Sequence, residues 1–487
     1  MWLKCKSYRT FTNGSWRPSP EMEKLIRNSA GRLQTVYDHA PYPVQNMMVS
    51  MRGWFLARIR YSKETAALLR ELRTHEAWTA EQMLQYQLDA VQRTLDNARR
   101  WTPYYRGYPD VKIRDLEDLG KLPVLKRDMV REQNNELLSK AVPWRKRVRV
   151  TTTGTTGTSL SVYYSPEVSG KVWTYRMRQR AWLGLKPRTP RITLFGSRVI
   201  PPERKLPPFW VHNRPECQTL MSIFHLSAET VGDYVKYLQQ HEGAVLEGFA
   251  SVLGILAGLM LERSESVQMR AVFSDAEPLH PFLRTKIEAA FQTHVYDTYT
   301  MTEFCGLIQE CEHYAMHLIP DYGFLEILDA EDNPVPPGKE GYFVWTGFVN
   351  DTMPLIRYRI GDRGCWLEEN GQLCKCGRVF PRVIPTITRT SDMLYCRDGR
   401  IYSPRALNQV LKLAPSFRFC QFVQVAPDQL VVRAVSGMEN RPDQLESLRR
   451  ELEKIVGKSM QVSAQTCDAP IMRAGGKIPL IVQQVTP

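Results

Sequence analysis

The chain has 487 residues, 43% of them hydrophobic, and 65 Lys+Arg against 51 Asp+Glu give a net charge of +14. That length exceeds one compact core, so two or more domains are expected, and ten cysteines at mostly irregular spacing exclude a disulfide scaffold and fit a reducing compartment. No apolar run reaches the ~18 to 20 residues that span a bilayer, the start Met-Trp-Leu-Lys-Cys-Lys-Ser lacks a sustained apolar stretch, and the basic residues are dispersed, so we expect a cytoplasmic protein with no membrane span and no nucleic-acid partner.

In chain order, residues 1 to about 140 read as helical. From Glu64 through Arg100, Leu68, Leu69, Leu72, Met83, Leu84, Tyr86, Leu88, Val91 and Leu95 recur near a 3.6 period, and Pro103-Tyr104-Tyr105 closes the run. Arg145-Lys146-Arg147 with Arg149 then precedes a loop, Thr152, Thr153, Gly154, Thr155, Thr156, Gly157, Thr158 and Ser159. Hydroxyls and backbone N–H groups packed so closely suit an anion such as a polyphosphate. No Gly-Lys-Ser/Thr follows, so it is not a Walker A loop. A plain polar surface loop is the competing explanation.

From 147 to about 385, β-rich runs at Arg191–Phe195, Ala244–Glu247 and Met269–Phe273 alternate with helices, including Pro281–Ala290 and a buried helix around Val252 to Leu261. This alternation predicts an α/β layered fold. Strands at Gly323–Leu328 and Gly341–Thr346 with Pro- and Gly-rich turns predict a β-subdomain. Strands at Gln421–Val425 and Leu430–Ala434 and a charged helix at Pro442–Val456 predict a separate α+β domain. The expected organisation is therefore 1–387 (mostly helical 1–140, α/β core 147–320, β-subdomain 320–387) and a mobile 388–487, with a hinge near Ile387–Asp392.

Three segments follow the Thr/Gly loop: Val295 to Glu303 (Val-Tyr-Asp-Thr-Tyr-Thr-Met-Thr-Glu), Met353 to Asp362 (Met-Pro-Leu-Ile-Arg-Tyr-Arg-Ile-Gly-Asp) and Met472 to Pro479 (Met-Arg-Ala-Gly-Gly-Lys-Ile-Pro). In this order they resemble the adenylate-forming superfamily of acyl-CoA synthetases and adenylation domains. Within it the chain looks most like the phenylacetate–CoA ligase branch, including homologues encoded with capsular polysaccharide genes. The resemblance implies an AMP-forming acid–thiol ligase using ATP, Mg²⁺ and CoA. It further implies that Thr152–Thr158 wrap the terminal phosphates and that Ser274, Ala276, Glu277 and Pro278 line the adenine pocket. Tyr299 would stack on adenine, Thr302 contact the α-phosphate and Glu303 hold Mg²⁺. Asp362 would accept from the ribose hydroxyls, Arg389 reach ribose or phosphate, and Lys477 bridge the substrate carboxylate and the α-phosphate. The hinge reads Thr388-Arg389-Thr390-Ser391-Asp392, without the usual glycine, which favours as an alternative the transfer of the acyl group to an amine or a carrier-protein thiol. A non-catalytic binding protein is the third possibility.

Cys311 and His317 lie six apart and Cys374 and Cys376 form Cys-Lys-Cys, two close pairs far apart in sequence, as in a closed Cys₃His zinc site. His313 is a rival ligand, buried free thiols are the competing explanation, and Cys305 is expected to pack. The aromatics Phe249 and Tyr296 point to an aromatic carboxylic acid, and His225 either gates the acceptor or is a core residue. A dimer is expected.

Overall fold

The computed structural model describes residues 35–151, 160–201, 203–368, 373–385, 394–395, 401–402, 407, 411, 417–435, 442–457, 460–473 and 476–484. The Thr/Gly loop 152–159 and the expected hinge, with Arg389, lie outside them.

The N-terminal part is helical: Tyr42–Arg60, Lys63–Thr74 and Ala80–Trp101. The periodic run from Glu64 to Arg100 is two helices rather than one. Thr79 and Gln82 form a reciprocal capping box that starts the later helix. The break also turns His75 inward, where its Nδ1 lies 2.8 Å from Asp321, itself held in two bonds of 2.6 and 2.9 Å by Arg178. Leu88, Val91, Leu95 and Ala98 of the later helix enter the core.

Eight strands form the main sheet: β4 (Arg191–Leu194), β5 (Trp210–Asn213), β6 (Gln218–Met221), β7 (Val245–Gly248), β8 (Ala271–Asp275), β9 (Val295–Thr300), β10 (Leu307–Glu310) and β11 (Met316–Leu318). Their order is β11-β10-β9-β8-β7-β4-β6-β5. The centre from β6 to β9 is parallel and the flanks are antiparallel. Central strands such as β4, β7 and β8 are buried at every position, as a sheet covered on both faces requires. The helix Ala250–Glu262 is buried along most of its length and packs with Pro281–Phe291 in one apolar cluster. Pro166–Trp182 reaches the same sheet with polar contacts, Arg180 to Glu247 and Gln179 to the Glu310 carbonyl.

A second sheet contains β12 (Gly323–Leu328), β13 (Gly341–Gly347), β14 (Tyr358–Trp366) and β15 (Val383–Pro385). It is completed by β1, Leu125–Lys126, parallel to β14. Thus the expected β-subdomain borrows its edge from the helical N-terminal part. A hairpin β2–β3 (Val148–Thr151, Ser161–Tyr164) flanks the Thr/Gly loop. Two short strands follow, β16 (Leu394–Tyr395) and β17 (Ile401–Tyr402). Finally, β18 (Phe419–Ala426), β19 (Gln429–Val435), β20 (Gln461–Cys467) and β21 (Ile481–Gln483) make a four-stranded mixed sheet. Leu448, Leu452 and Val456 of the helix Pro442–Val456 cover it, in a core distinct from that of the main sheet. No helix among the described residues is long and apolar enough to cross a membrane.

Candidate active site and metal centre

In the main sheet, β4 sends its neighbours in opposite directions, β6 on one side and β7 on the other. Open α/β sheets bind ligands beyond the carboxyl ends of their strands at such a switch. Gly248, ending β7, is required there because a Cβ would lie 2.8 Å from the Leu194 carbonyl of β4. Beyond these ends, Phe195 and Phe249 meet edge to face at 5.0 Å. At the end of β8, Ser274 is fully buried and donates to Asp297 at 2.6 Å. Asp275 is committed to Arg176 and Thr300. The chain then emerges through Ala276, at φ 66°, to Glu277 and Pro278, all partly exposed.

Lys477 comes to this rim from the C-terminal region. The Arg473 N–H donates to the Lys477 carbonyl at 2.8 Å and the Gly476 N–H to the Arg473 carbonyl at 3.0 Å, closing a tight turn. Gly476 has φ 81°, and a Cβ there would lie 2.4 Å from Ile223 Cδ1, so the approach needs glycine twice over. The Lys477 ammonium donates to the Ala276 carbonyl at 2.7 Å and lies 5.7 Å from the Phe249 ring centre. Next to it, the Ile478 N–H donates to Glu277 Oε1 at 3.0 Å, while the Ser251 N–H donates to Oε2 at 3.0 Å. Burial raises the Glu277 carboxyl, against the pull of these N–H groups and of Lys477. Farther along, Arg418 grips Glu262 with two nitrogens at 2.9 and 2.8 Å, and Lys286 donates to the Phe417 carbonyl.

The turn after β9 carries Thr302, half-buried, and Glu303, buried. Glu303 accepts from the Tyr358 hydroxyl at 3.2 Å and lies 3.4 Å from Arg127. Burial and the Glu303 charge hold the Tyr358 phenol well above its ordinary value, so it remains a donor. Two residues' spacing puts Tyr358, Ile360 and Asp362 on the buried face of β14. Asp362 accepts from the Tyr299 hydroxyl at 2.8 Å. The Tyr299 ring is 5% exposed and lies parallel to Trp345, with centres 6.2 Å apart. Arg357 and Arg359 of the same motif brace the fold instead, pairing with Glu326 and Asp332.

Two aromatic pocket residues prove to be apart. Tyr296 opens β9 at its amino end and packs with Phe273, Tyr314 and His294, whereas Phe249 follows the carboxyl end of β7. The register sets Tyr296 level with Phe273 and Glu247, two residues before Phe249, and the two rings enter different clusters, Tyr296 with Phe273 and Leu185 and Phe249 with Leu194 and Leu253. His225 has both ring nitrogens engaged, Nδ1 with the Ser222 hydroxyl at 2.7 Å and Nε2 with the Pro201 carbonyl at 3.1 Å, and it stacks on Phe209. It is half-buried, and these contacts hold its ring in place. Arg127 and Tyr358 were not singled out from sequence. Arg127 lies 176 residues before Glu303 and no local pattern marks it.

At the far edge of the sheet, Cys311, His317, Cys374 and Cys376 bring four donor atoms within 4.8 Å of one another. The Cys311 and Cys374 sulfurs are 3.8 Å apart, and Cys376 Sγ is 3.5 Å from His317 Nε2. Bonds of ~2.3 Å to sulfur and ~2.0 Å to nitrogen in a tetrahedron require about 3.8 and 3.5 Å. His317 Nδ1 donates to the Phe380 carbonyl at 2.7 Å, which leaves the Nε2 lone pair facing the sulfurs. His313 is exposed and contributes its backbone N–H to Cys311. Cys305 is buried against Met301, and burial raises its thiol.

No family model matches the chain. It is 24% identical over 459 residues to Protein CapK of Staphylococcus aureus, covering 91% of this chain and 98% of that protein. It is 26% identical over 374 residues to a phenylacetate-coenzyme A ligase of Thermus thermophilus, covering 74% and 80%. The fold matches that of a 2-hydroxyisobutyryl-CoA ligase solved in the postadenylation state with R3-HIB-AMP, at a TM-score of 0.65 and 19% identity over 84% of this chain and 91% of that one.

Proposed function

Because the chain belongs to the phenylacetate–CoA ligase-like branch of the adenylate-forming superfamily, we propose that it is an AMP-forming acid–thiol ligase. A carboxylate oxygen attacks the α-phosphorus of ATP, the bond to the β-phosphate bridging oxygen breaks, and pyrophosphate leaves. The acyl-AMP then passes its acyl group to the thiol of CoA, releasing AMP. The observation that carries this is the delivery of Lys477 to Ala276, at the carboxyl end of β8. An ammonium there offsets the repulsion between two anions and stabilises charge on the pentacoordinate phosphorus.

The surrounding residues take roles to match. Ala276–Pro278 border the base, Thr302 faces the α-phosphate, and Asp362, held by Tyr299, accepts from the ribose. Glu303 is the carboxylate for Mg²⁺, a hard cation that would neutralise phosphate charge. Arg127 competes with the metal for Glu303, and phosphates entering the cleft would draw its guanidinium away. The loop 152–158 and Arg389 complete the nucleotide site in this proposal. The Cys₃His cluster would hold a structural Zn²⁺ through its four donors, which would clip the loop between β14 and β15 to the edge of the main sheet. The C-terminal region from about residue 388 is the part that moves between half-reactions, which would carry Lys477 away.

The test is to incubate the protein with Mg-ATP and a panel of aryl and alkyl carboxylic acids, with and without CoA, and to follow pyrophosphate and AMP. Acid-dependent pyrophosphate, with AMP turnover raised by CoA, is expected. Absence of pyrophosphate with every acid sinks the proposal. Turnover indifferent to CoA assigns the acceptor to an amine or a carrier-protein thiol, which the glycine-free hinge sequence Thr388–Asp392 favours.

A further inference from the structure

We propose that Glu277 is the positioning residue that docks Lys477: its carboxylate fixes the backbone of the lysine-bearing turn to the main sheet. This rests on the assignment of Lys477 as the adenylation lysine.

Each oxygen of Glu277 has its own backbone donor. Oε2 takes the N–H of Ser251, in the first turn of the helix Ala250–Glu262. That N–H has no partner within its helix, and the helix dipole favours an anion at this end. The carboxylate is thereby held on the sheet side whether or not the C-terminal region is docked. Its other oxygen, Oε1, takes the N–H of Ile478, the residue after the lysine.

That single bond sets the lysine's place. The Ile478 side chain is 5% exposed, in the cluster that contains Leu253 and Leu256 of the same helix. With the Ile478 amide on Glu277 and its side chain in the core, the backbone beside Lys477 is fixed at the rim, within reach of the Ala276 carbonyl that its ammonium meets. The sheet thus presents two neighbouring groups, the carbonyl of Ala276 and the carboxylate of Glu277, which receive the lysine ammonium and the backbone beside it. A lysine on a flexible four-carbon stem has no fork to orient itself and needs this backbone anchor. One N–H···O bond is also weak enough to break when the lysine must leave.

A glutamine cannot replace the carboxylate. Its carbonyl oxygen can accept one of the two N–H groups, but its NH₂ then faces the other as donor against donor. Glu277→Gln should therefore behave like Glu277→Ala at Ile478, while keeping the side-chain volume.

The experiment is amide hydrogen exchange on the full-length chain, wild type, E277A, E277Q and K477A, read at Ile478. Expected are exchange at Ile478 faster by about tenfold in E277A and E277Q, the worth of one lost hydrogen bond, and wild-type protection in K477A. Melting midpoints should stay close to wild type. With the acid from the panel that releases most pyrophosphate, E277Q should slow pyrophosphate release by a similar factor, and by more than it slows CoA thioester formation from the synthetic acyl-adenylate of that acid. Unchanged protection of Ile478 in both Glu277 variants overturns the proposal. So does an equal fall in both half-reactions, which marks a general loss of structure. If no acid gives pyrophosphate, the ligase assignment fails while exchange at Ile478 still decides whether Glu277 docks the turn.

Discussion

The Cys/His cluster and the proposed nucleotide cleft are both built from residues distant in sequence, yet they present themselves differently. In the cluster, four donors converge on one point and one imidazole is aimed by a backbone carbonyl. In the cleft, the polar groups are spent on one another: Glu303 on Tyr358, Asp362 on Tyr299, Lys477 on the Ala276 carbonyl. A site that holds its ligand permanently keeps its shape for it. A site that must release product stores its charges in internal pairs, and the substrate has to displace them. The ligand of the first can be read from distances, whereas that of the second emerges only from which elements the pairs connect.

The sharpest way to break this contrast is Lys477→Ala. Loss of one electrostatic donor to the transition state should slow acid-dependent pyrophosphate release by about 10²–10³-fold without moving the melting midpoint. Activity within a few-fold of wild type would remove the lysine from the mechanism. Next, Cys376→Ser should abolish stoichiometric zinc, measured by elemental analysis, and lower the melting midpoint while the purified protein still binds ATP. Full zinc content in that variant would dissolve the cluster as a metal centre. Tyr358→Phe removes one of the partners that store Glu303, and a buried carboxylate short of a donor costs ~1 to 3 kcal/mol. We expect a matching fall in stability by denaturant titration, partly restored by Mg-ATP. If Mg-ATP restores nothing, Glu303 does not meet the metal.

A last effect, confined to a pH window, concerns Asp297. Burial, with the Glu310 charge, pushes its carboxyl up to about 7, against the Ser274 hydrogen bond and Arg284. Its folded value therefore lies above its unfolded value near ~3.9. The neutral acid is favoured in the folded state, so the stabilisation is complete below pH ~4 and is lost as pH rises through 7, by no more than ~1.4 kcal/mol per pH unit. Melting midpoints measured across this window should show that downward slope, and Asp297→Asn should flatten it. A slope that persists in the variant assigns it elsewhere.

Most of the architecture was legible because long elements repeat their pattern. Pro442–Val456 and Gly323–Leu328 have the boundaries their periodicity predicts. Leu125–Lys126 was not legible, since two residues have no period, and its pairing is fixed by the Leu125 N–H on the Arg357 carbonyl far along the chain. In the cleft, Glu303, Asp362 and Lys477 stand in motifs; Tyr358 lies in one too, but its hydroxyl matters, like Arg127, only because folding brings it to Glu303. Tyr296 misled because its neighbourhood in sequence is that of Tyr299, but an odd spacing of three in an extended strand turns the two rings to opposite faces.

The cluster joins Cys311 and His317 to two cysteines made much later, with Cys376 lying 59 residues after His317. During synthesis at ~5 to 20 residues per second, the β10–β11 hairpin waits about 3 to 12 seconds for its last sulfurs. Over that interval it holds an imidazole and one thiol, two of the four donors. If the cluster takes zinc as proposed, the final clip is a late event in synthesis, and metal supply would govern how many newly made chains close it.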